Sequence, residues 1–273
     1  MQLSYAFVVD RKSMPVLLFI AALALGGCQS RQARLDADPM ATSSTDNAAT
    51  GLTQSEAGSF RRAQALSQQW TAKPGDQTIG MEYAASLAQM GQTNTQIEVL
   101  KAVALAHPND GPLQAKLGKQ LLSAGRAGEA ITMLERAANL PGVDWKTLSA
   151  LGTAYDQQSS YKMAREKYQA ALALKPGELS VQNNMAMSFA LEGKLPDAEK
   201  LLRAALAEPG AASQPRIQQN LALVVGLQGR FDEARSIASA DLPPDQVEAN
   251  LAFLQQMLAK PNTWAQLSAG NKS

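Results

Sequence analysis

Cys28 and His107 are the only cysteine and the only histidine in the 273-residue chain. One thiol and one imidazole remove most metal and nucleophile chemistry at the outset. A structural zinc site of Cys/His type needs four such ligands. A Ser-His-Asp or Cys-His arrangement would have to be built on His107. That residue directly precedes Pro108 at the end of a helical stretch. There an imidazole meets the negative end of the helix dipole and needs no catalytic role. A lone cysteine also forbids an intramolecular disulfide, so the fold must stand on its core. The sequence contains no phosphate-cradling G-x-x-x-x-G-K-[ST], no G-x-G-x-x-G and no H-E-x-x-H. Lys and Arg number 25 against 24 Asp and Glu, which leaves no basic excess for non-specific nucleic-acid binding. Neither an enzyme, a metal, a small-molecule substrate nor a nucleic-acid partner is expected. The chemistry left is recognition by polar side chains displayed on a scaffold.

The scaffold is clearest in residues 144–178, DWKTLSALGTAYDQQSSYKMAREKYQAALALKPGE. Leu148, Leu151, Gly152 and Tyr155 recur at helical spacing on one face. Ala164, Tyr168 and Ala171 do so on a second helix, which Pro176 stops. The order Leu-x-x-Leu-Gly-x-x-Tyr followed by Ala, aromatic, Ala and Pro resembles the tetratricopeptide repeat (TPR), a 34-residue helical hairpin. One hairpin cannot bury its apolar face alone, so the pattern must recur. Stepping back by 34 reaches Leu117, Gly118, Ala130 and Ala137, and then Tyr83 and Ala84, with Leu100, Val103 and Pro108 following. Gln96 there replaces the small residue of the other repeats. Stepping forward reaches Met185, Ala186, Phe189, Ala198, Leu202 and Ala205. A step of 36 then reaches Leu221, Ala222, Val225 and Ala234. Gly91, Gly125, Gly193 and Gly229 mark the turns within hairpins, where a left-handed residue is often required. No run of alternating apolar residues argues for a strand. The expected class is all-α, with the right-handed superhelix that the resemblance implies.

The resemblance also implies which residues line a concave groove. They include Lys116, Lys119, Lys146, Thr153, Asp156 and Asn183, and further along Asn184, Met187, Arg216, Gln219, Asn220 and Leu223. Asn184 and Asn220 share a repeat position, and an amide that both donates and accepts suits an extended peptide backbone. Lys116, Lys119, Lys146 and Arg216 would form a basic patch interrupted by Asp156. Trp145 and the ten methionines suit core or groove lining better than a cofactor site.

The flanks read differently. Residues 1–27 carry Arg11 and Lys12 ahead of an apolar stretch, Met14–Leu25, of about a dozen residues. That is short of the roughly 20 needed to span a bilayer and fits a signal peptide. Leu25-Gly26-Gly27-Cys28 resembles the lipobox of bacterial lipoproteins, which implies acylation of Cys28 and cleavage just before it. A covalent lipid there, the one non-protein group expected, would anchor the chain to a membrane. Gln29 in place of Asp implies the outer membrane by resemblance to the sorting rule of such lipoproteins. Cleavage removes Asp10, Arg11 and Lys12 and leaves acidic and basic counts equal. Residues 28–55, polar and rich in Ala, Ser, Thr and Asp, read as a disordered tether spanning roughly 30 Å. A capping helix is expected over 56–76, with Phe60, Ala63, Leu66 and Trp70 on one side, then about five hairpins over 77–244. Asp245 is expected to cap a last helix, 245–260, which packs Val247, Leu251, Leu254 and Leu258 on the final hairpin. Residues 261–273 form a tail.

The run RIQQNLALVVGLQGRFDEA (216–234), followed by EANLAFL (248–254), is more particular than a TPR requires. With the lipobox it resembles the TadD family, the TPR lipoproteins of tight-adherence (Flp) pilus systems. That implies a periplasm-facing, outer-membrane adaptor of pilotin type. Its groove would hold a segment of the secretin or another pilus component and assist secretin assembly or localisation. The alternative is a passive envelope scaffold that bridges cell-wall or outer-membrane complexes.

Overall fold

A computed structural model describes residues 54–259. The expected signal segment, Cys28, most of the tether and the tail lie outside the described residues. Those described contain twelve α-helices, one short 3₁₀ turn and no strand. They form two compact units, one ending at Pro108 and the other beginning at Asn109.

The first unit holds α1 (Gln54–Ala72), α2 (Gln77–Gln89) and α3 (Thr93–Ala106). Ala63 and Leu66 of α1 are buried, together with Leu87, Ile97, Leu100 and Val103. Trp70 packs over Gly80, where a Cβ would lie 2.7 Å from the indole and 2.3 Å from Val103. Phe60 departs from the expected apolar face and is 53% exposed. The physical reason is length: α1 has 19 residues against 13 in α2, so its first turns run past their cover. Gln96, at the position of Ala130, Ala164 and Ala198, is buried with them.

The second unit is a stack of four hairpins and a closing helix. The hairpins are α4 (Gly111–Ser123) with α5 (Ala127–Ala138), α6 (Trp145–Gln157) with α7 (Tyr161–Leu174), α8 (Leu179–Leu191) with α9 (Leu195–Leu206), and α10 (Pro215–Leu227) with α11 (Phe231–Ala238). A 3₁₀ turn, Ala211–Ser213, takes up the longer connection before α10. The closing helix is α12 (Pro244–Ala259).

Local chemistry explains the period. Asp76, Asp110 and Asp144 recur every 34 residues, and each side chain accepts a hydrogen bond from the backbone N–H three residues on, capping α2, α4 and α6. Such a cap is worth about 1 kcal/mol. At the next position Glu178 is one methylene longer and instead accepts from Ser180 Oγ at 2.7 Å. The turn glycines Gly91, Gly125, Gly193 and Gly229 all have φ between +69° and +85°. In the central hairpin the same place is held by Ser159 at φ +55°, a conformation that disfavours any residue with a Cβ.

The helices of each hairpin cross where side chains are small. Ala130, Ala164, Ala198 and Ala234 have no exposure. A Cβ on Gly152 would stand 2.6 Å from the Tyr168 ring, and one on Gly118 would stand 2.6 Å from Leu134. Polar links join one hairpin to the next. Tyr155 donates its hydroxyl to Glu135, and burial with that carboxylate pushes the phenol up to about 12. Glu199 accepts from Arg230 and Gln228.

The cap of the last helix differs from expectation. Pro244 is its first residue, a position where proline's missing N–H costs nothing. Asp245 therefore sits inside the first turn, where its charge faces the positive end of the helix. Val247, Leu251 and Leu254 are buried as expected.

Candidate functional site

Within the second unit, α4, α6 and α8 leave an open cleft of about 580 Å³ on one face. Two rows of residues spaced by 34 enter it: Lys116, Ala150 and Asn184 form one, Lys119 and Thr153 the other. Trp145 and Lys146 stand at its rim on the first turn of α6. Lys116 and Lys146 are exposed, whereas Lys119, Trp145, Thr153 and Asn184 are half-buried. The Trp145 ring has Lys175 Nζ 4.6 Å and Lys146 Nζ 5.5 Å from its centroid, within the range of cation–π attraction. Gln120, Ser123 and Ser149 also line the cleft. Sequence reasoning missed them, although each lies four residues beyond a lining residue and so one turn along the same face.

No carboxylate is among the described residues that line this cleft. Asp144 is near enough to feel it. Partial burial works against ionisation of Asp144, but hydrogen bonds from Thr147 and the charges of Lys119 and Lys146 hold its carboxyl below the usual value. Its oxygen is already committed to the Thr147 N–H at 2.7 Å. The three lysines form no ion pair among the described residues.

Asp156 does not interrupt this basic surface. It is buried behind the cleft at 5% exposure, accepting from Tyr168 Oη at 2.8 Å and from Ser188 Oγ at 2.6 Å. Burial pushes its carboxyl up to about 6, while Ser188, Tyr168 and the Arg165 charge pull the other way. Burial and the neighbouring Asp156 likewise raise the Tyr168 phenol well above its ordinary value. The physical reason for the correction is direction. One turn after Thr153, the Asp156 side chain points between hairpins toward α7 and α8, not out of the face. Thr153 connects the two layers, because its Oγ1 lies 3.1 Å from Tyr168 Oη.

The same rows continue beyond the cleft and change character. Asn220 follows Asn184 by 36 residues, yet its amide donates to Asn183 Oδ1 at 2.8 Å. Leu223, in the row of Lys119 and Thr153, is buried at 7% exposure. It forms an apolar cluster with Leu227 and Leu254, and Met187 packs against that cluster. Leu223 and Met187 therefore face the closing helix, since α12 lies over this end and its Leu254 fills the space. Gln219, Asn220 and Leu223 line only a residual cavity of about 40 Å³. Arg216 is exposed on the first turn of α10 and lines neither space.

His107 lies in the first unit. It ends α3, and its Nε2 donates to the Gly75 carbonyl oxygen at 3.1 Å, tying the end of one hairpin to the loop before it. Among the described residues no three His, Cys, Asp or Glu side chains gather as a metal site. No helix among them is long and apolar enough to cross a membrane.

No family model matches the chain, and no curated protein matches it. Solved structures do. YrrB, described as a TPR protein with an unusual peptide-binding site, superposes with a TM-score of 0.51 at 15% identity, covering 71% of this chain and 99% of YrrB. A putative kinesin light chain of Podosopora anserina with nearly identical TPR-like repeats gives 0.52 at 20% identity, covering 67% and 98%. Residues 41 to the end of MamA from Desulfovibrio magneticus RS-1 give 0.50 at 19% identity, covering 54% and 84%. Hairpins of repeating register, small residues at each crossing and these superpositions lead to one conclusion: the chain has the all-α tetratricopeptide-repeat fold.

Proposed function

We propose that this protein is a non-enzymatic adaptor that holds a segment of a partner protein in the cleft between α4, α6 and α8. The observation that carries the reading is the cleft itself. It is an open space of about 580 Å³ whose lining mixes lysines, amides and hydroxyls with the Trp145 ring. Donors and acceptors of this kind match an extended backbone. The lining residues sit on helices, which hold them more rigidly than loops would. YrrB, of the same fold, is described as having a peptide-binding site, which is consistent with the reading.

The surroundings of the cleft come from sequence features. The lipobox-like Leu25-Gly26-Gly27-Cys28 supports acylation of Cys28 and an outer-membrane anchor, with residues 28–55 as a leash. The likeness of 216–234 and 248–254 to the TadD family supports a pilotin-like role, in which the bound segment belongs to the Flp pilus secretin or another pilus component. A photo-crosslinking residue placed at Ala150 in the cleft, and in a second strain at exposed Ala204 on α9, tests this in native envelopes. The expected product is a secretin or pilus-component adduct from Ala150 alone. Adducts only with cell-wall enzymes or barrel-assembly proteins would replace this reading with the passive scaffold. Equal adducts from both positions would overturn the cleft.

A further inference from the structure

Three ammonium groups surround the cleft, and no carboxylate on its wall answers them. Lys116 and Lys119 share a face of α4 at i and i+3, and Lys146 stands on the neighbouring α6. None of the three has an ion-pair partner among the described residues. The one carboxylate that feels both Lys119 and Lys146 is Asp144, and it is held as a helix cap by the Thr147 N–H. At most one of the three charges is offset from within. Several other cations of this unit are matched: Arg165 pairs with Glu192 at 2.6 Å, Arg203 with Glu199 and Glu233, and Arg235 with Asp232 and Glu248. Lys162 and Lys200 have no ion pair among the described residues, but neither lines the cleft. What sets the cleft apart is a lining with three lysines and no carboxylate, in a chain whose formal net charge is only +1.

We infer that the cleft selects an acidic protein segment bearing two or more side-chain carboxylates. This rests on the reading of the cleft as a peptide site. A single terminal carboxylate would leave one or two of the positive charges unanswered, whereas two or three Asp or Glu side chains along an extended strand would match them. Alternate residues of an extended segment lie about 7 Å apart on one side and the axes of packed helices about 8–10 Å apart, so one short segment can reach lysines on both α4 and α6. Nucleic acid is the less fitting polyanion. Trp145, the one aromatic ring at the cleft, already has two ammonium groups within cation–π range, and there is no stacking platform for successive bases. Gln120, Ser149, Thr153 and Asn184 offer partners for peptide N–H and C=O groups between the charged contacts.

The test uses the full-length chain in detergent and fluorescein-labelled 12-residue peptides followed by anisotropy. One peptide carries four Glu residues and an amidated C-terminus. Its isosteric Gln version is prepared both amidated and with a free terminal carboxylate, and labelled dT12 is the nucleic-acid probe. The expected result is that the Glu peptide binds about tenfold more tightly than either Gln peptide. Its affinity should fall severalfold between 50 and 200 mM salt, because exposed charges are screened over about a Debye length. Lys116→Gln combined with Lys119→Gln and Lys146→Gln should reduce it to the level of the Gln peptides. Lys162→Gln with Lys200→Gln, both exposed outside the cleft, should change nothing. Unchanged thermal melting of both variants separates recognition from folding. Equal affinity for the Glu and Gln peptides, insensitive to the lysine changes, would overturn charge selection while leaving a peptide cleft. Equal affinity for the amidated Glu peptide and the Gln peptide with a free terminus would overturn it in favour of a terminal carboxylate. dT12 bound as tightly as the Glu peptide through the same lysines would replace a protein segment with nucleic acid. Failure of every peptide to bind would overturn both this inference and the peptide reading.

Discussion

Two stretches of one helical face in the second unit have the same repeat register and opposite fates. From Lys116 to Asn184 the face is open and basic. From Asn220 to Leu223 it is closed by α12, apolar, and reduced to a cavity of about 40 Å³. Lys119, Thr153 and Leu223 hold equivalent positions, but only the last meets a helix laid over it. The difference teaches that repeat register fixes where a side chain sits, whereas neighbours later in the chain decide whether it is available. Asn184 and Asn220 make the same point with one residue type: the first lines the cleft, and the second is spent on Asn183.

The sharpest way to break the comparison is to uncover the closed end. Leu254→Ala removes the side chain that covers Leu223 and Gly226. It should cost about 2–5 kcal/mol, read as a fall in the denaturant midpoint, while the affinity of the cleft for its peptide stays the same. A parallel loss of peptide affinity would show that the two stretches are not independent.

Next in size is the wall of the open stretch. Gly152→Leu drives a side chain into the Tyr168 ring, already 2.6 Å from a bare Cβ, and should cost about 1–3 kcal/mol. Tyr168 also touches Thr153 at the cleft and Asp156 behind it. This variant, unlike Leu254→Ala, should weaken peptide binding as well. An unchanged melting midpoint would contradict the close crossing.

Acid separates the two stretches more gently. Asp156, behind the open stretch, is held at about 6 by burial against an ordinary 3.8. Its fold favours the protonated form. The stability this group contributes is full below the unfolded value and lost as pH rises through about 6. Lowering pH from 7 to 5 should therefore add roughly 1 kcal/mol through this group, an increment that Asp156→Asn should abolish when the two proteins are compared at both pH values. Glu199, which ties α9 to the last hairpin, is shifted the other way. A hydrogen bond from Arg230 holds it down to about 2 despite the opposing effect of burial. Its contribution is present above 4.5 and lost as pH falls through about 2, so it does not disturb the first comparison. An equal change in stability between pH 7 and pH 5 for wild type and the Asp156→Asn variant would refute the buried role.

The smallest effect splits two residues at one repeat position. Asn220→Ala should cost about 0.5–1.5 kcal/mol of stability, the scale of one intramolecular hydrogen bond, and leave peptide binding unchanged. Asn184→Ala should do the reverse. Identical behaviour of the two variants in denaturation and in anisotropy would erase the distinction between open and closed stretches.

Much of this architecture was legible before folding. Helix spacing, the glycines of the hairpin turns and the small residues at crossings act within a few residues or within one hairpin, so local sequence carries them. The aspartate caps at 76, 110 and 144 were equally legible, by the same 34-residue spacing. Lys116, Lys119, Lys146, Thr153 and Asn184 were placed on a groove face by the resemblance to the repeat family, and these five line one cleft. Asp156 was not legible, because a carboxylate at a surface-like register gives no sign that Tyr168 and Ser188, 12 and 32 residues away, will enclose it.

The sequence by itself determined the hairpins, their period and the basic character of one face. These follow from backbone propensity, apolar periodicity and charge type, which are properties of neighbouring residues. Only the tertiary structure decided which part of that face stays open, because exposure depends on what later helices cover. The arrival of α12 over Leu223 turned a groove position into core. The turn of Asp156 toward α7 and α8 turned an apparent surface charge into a buried link, and the cleft was left with lysines that no carboxylate of its lining answers.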